Sequence, residues 1–446
     1  MSAATGAVLA VLCVLILATP RRVALCALTA GLLYLTQGHA FDLAGFAMMP
    51  NRVLVTVGFL RVLARKEWQP SMVTATDLRL VLLYSFVTII LLLRPDEPIA
   101  ARIARFTDTT FAYFAFKGLL SNAYEVRTFL RMFAYMLIPY VLLLIPESLR
   151  LGNQFTIFGG NTVTWLRENA VRCFGSFRHP SLLGSLGATF FPVYLGMSIK
   201  QEDRRIAFCG CALSVLIVFF SSSGGPVSAF ATGMVAWVLW FWRAHMRKIR
   251  WTALACLVLL AMLMKAPVWY LIARVSNLTG GSGWHRSYLI EVSVRHFEKW
   301  WLFGIPLRDT HGWFPYNLAS TGGADVTNQY IAYGFQAGIV AIALFLAYIT
   351  RLFKLIGEKI QQLTLSGGAV ADATLTWGLG AMLAAHVFNW LGITYWDQFH
   401  AFWLLQMAMI ATWAEQIPPV SEGITSYNPP IGHWKEQFAK ENEGLE

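Results

Sequence analysis

Long apolar runs recur along this chain from one end to the other, with short polar segments between them. Of its 446 residues, 57% are hydrophobic and only 13% are charged, which is too apolar for a soluble domain. An α-helix needs about 20 apolar residues to cross a lipid bilayer. The sequence therefore predicts an all-α polytopic membrane protein, a single transmembrane domain over residues 1–446 with about 12–13 transmembrane helices.

Two long polar segments interrupt the series of apolar runs. Residues 147–180 and 267–328 are predicted to be loop insertions on the outer side of the membrane, the second with short helices. Residues 415–446 are predicted to form a cytoplasmic tail. The predicted helices cover residues 3–19, 23–37, 43–63, 78–93, 102–120, 128–145, 181–199, 206–220, 227–242, 252–264, 329–349, 374–393 and 399–413.

The basic residues between the helices set the predicted orientation. Lys and Arg are concentrated in the cytoplasmic loops of membrane proteins. When the helices are counted alternately, one side of the membrane collects Arg65 with Lys66, Lys200 with Arg204 and Arg205, residues 243–250, and Arg351 with Lys354 and Lys359. That side is predicted to be cytoplasmic, so both long loops lie outside. The same rule accounts for the formal net charge of +11, and no nucleic-acid partner is expected.

The first external loop carries more arginine than this rule allows. A guanidinium donates two parallel hydrogen bonds to neighbouring oxygens and stays charged near a membrane, which suits a diphosphate. Arg172 and Arg178 are the first candidates for binding such an anion, with contact to lipid headgroups as the alternative. The charged residues of this loop are Arg150, Arg167, Arg172 and Arg178 against Glu147 and Glu168.

The second external loop contains a glycine-rich segment, 280–283, followed by a predicted helix. Arg286 lies at the start of that helix, where free backbone N–H groups also favour an anion, so it is a third candidate. A solvated surface arginine is the alternative. Arg295 has a simpler role, because Glu291 lies four residues before it and the two can form a surface ion pair.

Histidines neighbour two of the candidate arginines. A nearby cation lowers the proton affinity of an imidazole, so His179 and His285 are candidates for binding the substrate and accepting a proton. A structural histidine that only forms hydrogen bonds is the alternative. Within the predicted helices, His386 and Asn389 lie one turn apart and either line a cavity or hydrogen-bond between helices. The spacing of His, Cys and Glu predicts no metal, and no organic cofactor is expected.

Several stretches together resemble the bacterial O-antigen ligase and O-antigen polymerase superfamily. Residues 172–184 (Arg-Cys-Phe-Gly-Ser-Phe-Arg-His-Pro-Ser-Leu-Leu-Gly) are similar to its Arg-x-x-Gly motif in the first loop. Residues 221–226 (Ser-Ser-Ser-Gly-Gly-Pro) resemble its serine-glycine turn, and residues 285–304 resemble its second arginine block with a downstream glycine. Residues 327–338 are similar to the segment that enters the next helix.

The resemblance implies a metal-independent glycosyltransferase on the outer face of the bacterial inner membrane. Such an enzyme transfers or polymerises polyprenyl-diphosphate-linked oligosaccharide units onto an acceptor hydroxyl. Arg172 and Arg286 take over the role of holding the diphosphate. The expected partners are an undecaprenyl-diphosphate-linked glycan donor, a glycan or lipid-linked glycan acceptor, the lipid bilayer and a chain-length regulator.

The last motif departs from the ligase pattern. Ligases of this superfamily usually have His-Asn there and an acidic residue before the closing glycine, whereas this chain has Thr327, Asn328 and Gln336. Asp325 is therefore the candidate base, unless stabilisation of the diphosphate and positioning suffice. Asn328 is expected to contact the substrate. A repeat-unit polymerase is the preferred interpretation, and a ligase that acts on a lipid A core is the alternative.

Aromatic residues of the second loop are candidates for stacking on sugar rings: Trp284, Tyr288, Trp313 and Tyr316. Packing of the loop against the bilayer is the simpler explanation for them. A flippase or transporter of lipid-linked glycans is the alternative function from another class. In such a protein the basic residues would line a cavity between helices, whereas here they cluster in external loops.

Cysteine labelling tests the predicted orientation. In a background without the six native cysteines, cysteines placed at Gly160 and Ser320 should react with an impermeant thiol reagent in intact cells. Cysteines placed at Arg247 and Lys354 should react only after the cells are opened. Labelling of position 247 or 354 from outside would overturn the orientation and, with it, the external placement of both loops.

Overall fold

The computed structural model describes residues 2–38, 40–43, 45–68, 73–94, 96–160, 162–167, 169–278, 283–314 and 323–415. Four features of the sequence analysis lie outside these residues: the glycine-rich segment at 280–282, Tyr316, Ser320 and the tail beyond residue 415. The described chain is mostly helical, and every apolar segment that was predicted to be a helix contains one.

The helices are α1 (Ala3–Ala18), α2 (Arg21–Tyr34), α3 (Pro50–Ala64), α4 (Ala75–Leu92), α5 (Ile99–Leu120), α6 (Ala123–Ser148), α7 (Pro180–Met197), α8 (Arg204–Ser221), α9 (Gly224–Val238), α10 (Met246–Leu263), α11 (Leu271–Leu278), α12 (Gly283–Arg295), α13 (Phe297–Trp300), α14 (Gln329–Leu365), α15 (Val370–Asn389) and α16 (Asp397–Ala414). Two short antiparallel hairpins pair β1 (Phe41–Leu43) with β2 (Phe46–Met48) and β3 (Leu166–Arg167) with β4 (Ala170–Val171).

Several predicted helix boundaries differ from those of the structure. The helix predicted from residue 43 starts only at Pro50, because the preceding residues form the β1–β2 hairpin around a turn in which Gly45 has a φ of +82°. Proline at the first helical position lacks an N–H that would need a partner, so it marks a natural helix start. The helix predicted for 329–349 instead continues to Leu365, and α6 extends through Glu147 into the predicted first loop.

Apolar helices long enough for a membrane are present. Among the described residues, four helices are long and apolar enough to cross a bilayer: Ala75–Leu92, Ala123–Ser148, Gln201–Ser221 and Gln329–Leu365. A fifth is added if Gly224–Leu263 and Val268–Arg274, which bend by 103° at the break between them, count as one span. These helices are consistent with a multi-pass membrane protein. The larger number of spans stays a prediction.

Helices α7 and α16 form the centre of the bundle. Nearly every side chain along both helices is buried. A helix that is apolar on all sides is covered either by neighbouring helices or by lipid, and the burial of α7 and α16 shows that neighbouring helices cover them. Around them, α7 packs against α8, α9 and α15, and α16 packs against α5 and α14. This arrangement brings the starts of α7 and α9 and the end of α15 to one end of the bundle.

Helix α14 is broken after its second turn. Ala337 and Gly338 depart from helical geometry, and Gly338 has a φ of +77°, which favours glycine. The chain that follows α13 inserts at this break: Ile305 N donates to Phe335 O at 2.8 Å, and Ile339 N donates to Trp301 O at 2.7 Å. The short segment 301–305 therefore ties the second loop to the bundle.

Arg94, two residues after the end of α4, donates hydrogen bonds at the break in α14. Arg94 Nη1 donates to the carbonyl oxygens of Phe335 at 3.0 Å and Gln336 at 3.1 Å, and its Nη2 pairs with Asp96 at 2.6 Å. A broken helix leaves carbonyl groups without intrahelical partners, and burial of such groups costs free energy. Arg94 supplies the missing donors.

A buried ion pair joins α5 to α4. Lys117 Nζ lies 2.7 Å and 2.6 Å from the two carboxylate oxygens of Asp77, which is fully buried, and 3.1 Å from Glu415. Tyr113 OH donates to the same Asp77 at 2.7 Å. These contacts at Asp77 therefore connect α4 with α5 inside the bundle.

Lys117→Met should destabilise the protein by about 3–5 kcal/mol, because it leaves the Asp77 carboxylate buried without its cation. The thermal unfolding midpoint in detergent measures the effect. Arg79→Met, on the exposed face of α4, is the matched control and should change the midpoint little. The double variant Asp77→Leu/Lys117→Met should recover much of the loss. Equal midpoints for Lys117→Met and wild type would contradict a stabilising role for this pair.

Candidate functional site

Arginines from both predicted loops converge beside the N-terminus of α9. Arg167 lies on β3, Arg172 follows β4, and Arg286 lies in the first turn of α12. Arg167 and Arg172 are both close enough to lower the pKa of Arg286. We call these three residues the arginine cluster. The structure therefore brings together Arg172 and Arg286, which the sequence analysis proposed from separate loops.

The arginine cluster contacts the turn between α8 and α9. Arg172 Nη2 donates to the hydroxyl of Ser223, the residue immediately before α9, at 2.8 Å. The first turn of a helix has backbone N–H groups without intrahelical partners and carries partial positive charge. An anion held by the arginines at this place is also favoured by the helix.

Arg286 lies between two glycines. A Cβ atom on Gly225 would lie 3.4 Å from Arg286 Nη2, and a Cβ atom on Gly392 would lie 3.1 Å from its Nε. The guanidinium is therefore enclosed by the first turn of α9 on one side and by the loop after α15 on the other. At Gly392 a Cβ would be in tight contact with the arginine, which would have to shift by a few tenths of an ångström.

The first loop is fixed to the bundle through its backbone. The Glu147 carboxylate at the end of α6 accepts hydrogen bonds from Phe174 N at 2.9 Å and Gly175 N at 3.0 Å. Cys173 N donates to Phe220 O at the end of α8 at 2.9 Å, and Arg172 N donates to Trp165 O at 2.8 Å. Glu147, one of the few carboxylates of the loop, is thus occupied by the backbone and does not neutralise the arginines.

The cluster is electrostatically unfavourable as it stands. Burial, with the repulsion of Arg167 and Arg172, lowers the pKa of Arg286 to about 10, and burial and Arg167 lower the pKa of Arg172. Within the part of the chain that the structure describes, none of the three forms an ion pair with a carboxylate. The Nε atoms of Arg172 and Arg286 are buried and have no hydrogen-bond partner. An anion would relieve both the repulsion and the missing hydrogen bonds.

His179 lies beside the cluster as the N-cap of α7. Its Nδ1 accepts a hydrogen bond from Ser181 N at 3.1 Å, and its ring lies edge-on to Trp165 at 5.2 Å. Burial, with the charges of Arg172 and Arg286, lowers the pKa of His179 to about 4. The ring is neutral at pH 7 and carries its proton on Nε2. Its Nε2 can therefore donate a hydrogen bond, and the role of His179 in substrate binding and proton acceptance stays a prediction.

Arg178 does not share the environment of the cluster. Its Nε lies 3.1 Å from the Asp397 carboxylate at the start of α16, and its Nη2 donates to Gln37 O. The side chain is exposed. Arg178 thus already has a carboxylate partner, unlike Arg172 and Arg286, and its predicted role in substrate binding stays a prediction.

Helix α12 also carries an aromatic pair. The rings of Trp284 and Tyr288 stack at 4.8 Å, and His285 stacks on Phe314 at 5.2 Å. Trp284 and Tyr288 form a partly exposed stacked pair, but each is two positions from Arg286 along α12 and so lies on the opposite face of the helix. Trp313, another of the aromatic candidates, is instead buried, with its ring against Phe335 and His296. It belongs to the small core that attaches α12 to α14.

The remaining candidates lie along the segment that leads into α14. His285 Nε2 donates to the backbone oxygen of Asp325 at 3.1 Å, while the Asp325 side chain is exposed. Asn328 is buried and caps α14: its Oδ1 accepts from Tyr330 N and Ile331 N at 3.0 Å and 3.1 Å. The Asn328 amide is thus already engaged, whereas Asp325 keeps an accessible carboxylate.

The predicted surface pair on α12 is confirmed. Arg295 Nη2 lies 2.7 Å from the Glu291 carboxylate four residues earlier, and its side chain is exposed. Tyr270 OH also donates to Glu291. Arg295 and Arg286 therefore lie on the same helix in contrasting surroundings: Arg295 is paired at the surface, and Arg286 is enclosed with no carboxylate partner in the described part of the chain.

The sequence analysis missed two members of this site. Arg167 was counted only as part of the excess charge in the first loop, and Ser223 was noted only within the serine-glycine turn. A cavity of about 110 Å³ also opens beside Arg286, lined among others by Ser228, Leu271, Phe388 and Asn389. Asn389 had been identified as a polar residue inside a helix, which was the signal for this cavity.

No family model matches this chain, and no curated protein matches it either. The resemblance to the O-antigen ligase and polymerase superfamily therefore rests on the quoted motifs. Within the described residues, His, Cys, Asp and Glu side chains form no group of three or more that could hold a metal ion.

The stability of the protein should fall as the pH drops from 6.5 towards 4. In this window the unfolded chain binds a proton at His179 that the folded protein, with a pKa of about 4, does not. Protonation of His179 in the unfolded chain should lower the free energy of unfolding by about 2–3 kcal/mol at pH 4.5 relative to pH 7. His179→Asn keeps a good helix cap and should lose less stability on acidification. Unfolding midpoints of both proteins at pH 7 and 4.5 measure this, and an equal pH dependence would contradict the lowered pKa.

Proposed function

We propose that the protein is a membrane glycosyltransferase that transfers or polymerises oligosaccharide units from a polyprenyl-diphosphate carrier. The observation that carries the proposal is the arginine cluster, in which Arg167, Arg172 and Arg286 share one site without a described carboxylate partner. A diphosphate offers adjacent oxygens and more than one negative charge, which matches several guanidiniums better than a single carboxylate does.

The arginine cluster acts on the leaving group. During transfer, the bond between the anomeric carbon of the donor sugar and the diphosphate oxygen breaks, and that carbon forms a bond to the acceptor oxygen. The electron pair of the broken bond leaves with the diphosphate, and Arg172 and Arg286 stabilise the charge that develops there. The acceptor hydroxyl loses its proton to a base, for which the exposed Asp325 carboxylate is the candidate.

The proposed site lies at a membrane surface. The twelve or thirteen spans and the two external loops of the sequence analysis place the cluster at the outer face of the bacterial inner membrane. A lipid-linked donor presents its diphosphate at the membrane surface, where a site formed by loops on top of a helical bundle can reach it. The stacked rings of Trp284 and Tyr288 lie on the same helix as Arg286, on its other face, and are candidates for stacking on a sugar of the glycan.

Arg286→Lys should lower glycan extension by tenfold or more, because lysine keeps the charge but loses the planar fork of donors (an order-of-magnitude expectation, about 1.4 kcal/mol). Purified protein is assayed with a lipid-linked repeat unit, and lengthening of the glycan is measured. Arg295→Lys is the matched control on the same helix. Its exposed ion pair contributes only about 0.3–0.5 kcal/mol, so activity should stay within about twofold.

In the same assay, Asp325→Asn distinguishes the role of the base from the role of the arginines that bind the donor. The amide cannot accept the proton, so turnover should fall while the affinity for the lipid-linked donor is unchanged. Full activity in both Arg286→Lys and Asp325→Asn would place the chemistry elsewhere. A donor that is bound but never extended would instead favour transport of the same lipid.

A further inference from the structure

Asn389 carries an unexplained acceptor in the cavity beside Arg286. The residue is 2% exposed, and its Oδ1 has no hydrogen-bond partner among the residues that the structure describes. It lines the same cavity of about 110 Å³ as Arg286. Buried polar atoms almost always have a partner, so a buried oxygen without one needs an explanation.

The hydrogen bonds of the neighbouring side chains fix which way this amide points. Asn389 Nδ2 donates to Ser185 Oγ at 2.7 Å and to Tyr395 OH at 3.0 Å. The hydroxyl proton of Ser185 is already donated to Ser181 O, at 2.7 Å. Ser185 Oγ must therefore accept from Asn389, which requires the nitrogen on that side.

The second contact is fixed by a chain of donors in the core. Thr189 donates its proton to Ser185 O at 2.8 Å, so it accepts from Gln406 Nε2 at 2.9 Å. Gln406 Oε1 then faces His386 Nε2 at 2.6 Å, which places the imidazole proton on that nitrogen. His386 Nδ1 consequently accepts from Tyr395 OH, at 2.9 Å.

Tyr395 OH has thus given its proton to His386 and can only accept from Asn389. Both contacts require the same orientation, with Nδ2 towards the core and Oδ1 towards the cavity. The position of a Cβ on Gly225 lies 3.4 Å from Arg286 Nη2 and 3.9 Å from Asn389 Oδ1. A cationic donor and a neutral acceptor therefore both border the same point of the cavity that they line.

This pairing is selective for particular chemistry. An anion alone satisfies Arg286 but is repelled by a carbonyl-type oxygen, which needs an O–H or N–H group instead. The cavity has room for a substituent of a few heavy atoms and not for a whole glycan. A ligand that fits both groups carries a phosphate with a hydrogen-bond donor next to it.

We propose that Asn389 Oδ1 accepts a hydrogen bond from the O–H or N–H group on the carbon next to the anomeric carbon of the donor sugar, beside the phosphate that Arg286 holds. This inference rests on the proposed function, because it assigns that donor's first sugar to the same site. Asn389 is then a specificity-determining residue: it favours sugars with a donor group at this carbon and disfavours their deoxy analogues.

Binding of three synthetic lipids to the purified full-length protein tests the inference. They are undecaprenyl diphosphate, undecaprenyl-diphosphate-glucose and undecaprenyl-diphosphate-2-deoxyglucose. The wild type should bind the glucose lipid about tenfold more tightly than its 2-deoxy analogue, as expected for one lost hydrogen bond that leaves a buried acceptor unpaired. Equal affinity for the two glycolipids would overturn the inference, and this comparison needs no variant.

The variant Asn389→Ala tests whether Asn389 is the residue that distinguishes the glucose lipid from its 2-deoxy analogue. In this variant the two glycolipids should bind equally, while the affinity for undecaprenyl diphosphate stays within about twofold of wild type. Thr376→Val removes a buried hydroxyl elsewhere on α15, where it accepts from Trp413, and should retain the discrimination. A uniform loss for all three lipids in Asn389→Ala would show that the residue only supports Arg286 and would overturn the inference.

Failure of the proposed function gives a different result. If the wild type binds none of the three lipids, the arginine cluster does not hold a lipid diphosphate and both proposals fall. If it binds undecaprenyl diphosphate but does not discriminate between the glycolipids, only the role of Asn389 falls.

Discussion

Three positive charges held together without a described negative one impose the main constraint on this structure. Like charges in a partly buried site repel and lose hydration, and the lowered pKa values of Arg172 and Arg286 reflect both effects. A folded chain keeps such an arrangement only where packing elsewhere outweighs it. Here α7 and α16, buried along nearly their whole length, supply that packing. A local departure from stable pairing on a well-packed scaffold is characteristic of a binding site.

Most helices could be predicted from the sequence because each apolar run is buried or bilayer-compatible along its whole length. The break in α14 could not, because Ala337 and Gly338 lie inside such a run and nothing local distinguishes them. The break exists because the backbone of residues 301–305 occupies it, a contact between distant parts of the chain. The β1–β2 hairpin was missed for a related reason, since its short apolar strands continue directly into α3.

Arg172 could be singled out because the excess of arginine in its loop departs from a statistical rule that the sequence alone can test, and Arg286 because it lies at the start of a predicted helix after a glycine-rich segment. The partner of Arg178 could not be predicted, since Asp397 lies on α16 and no spacing rule connects the two. The orientation of Asn389 was equally out of reach. It depends on a chain of hydrogen bonds between side chains of α7, α15, α16 and the loop before α16. This chain exists only once these elements have packed together.

The break at Ala337 and Gly338 divides α14 into two rods. Arg94, at the end of α4, holds the carbonyl end of the first rod, and the segment 301–305 is clamped against the same joint. That segment continues from α13, and α13 from α12, which carries Arg286. An unbroken series of hydrogen bonds and chain connections therefore runs from the end of α4 through the break in α14 to α12, while the second rod takes no part in it.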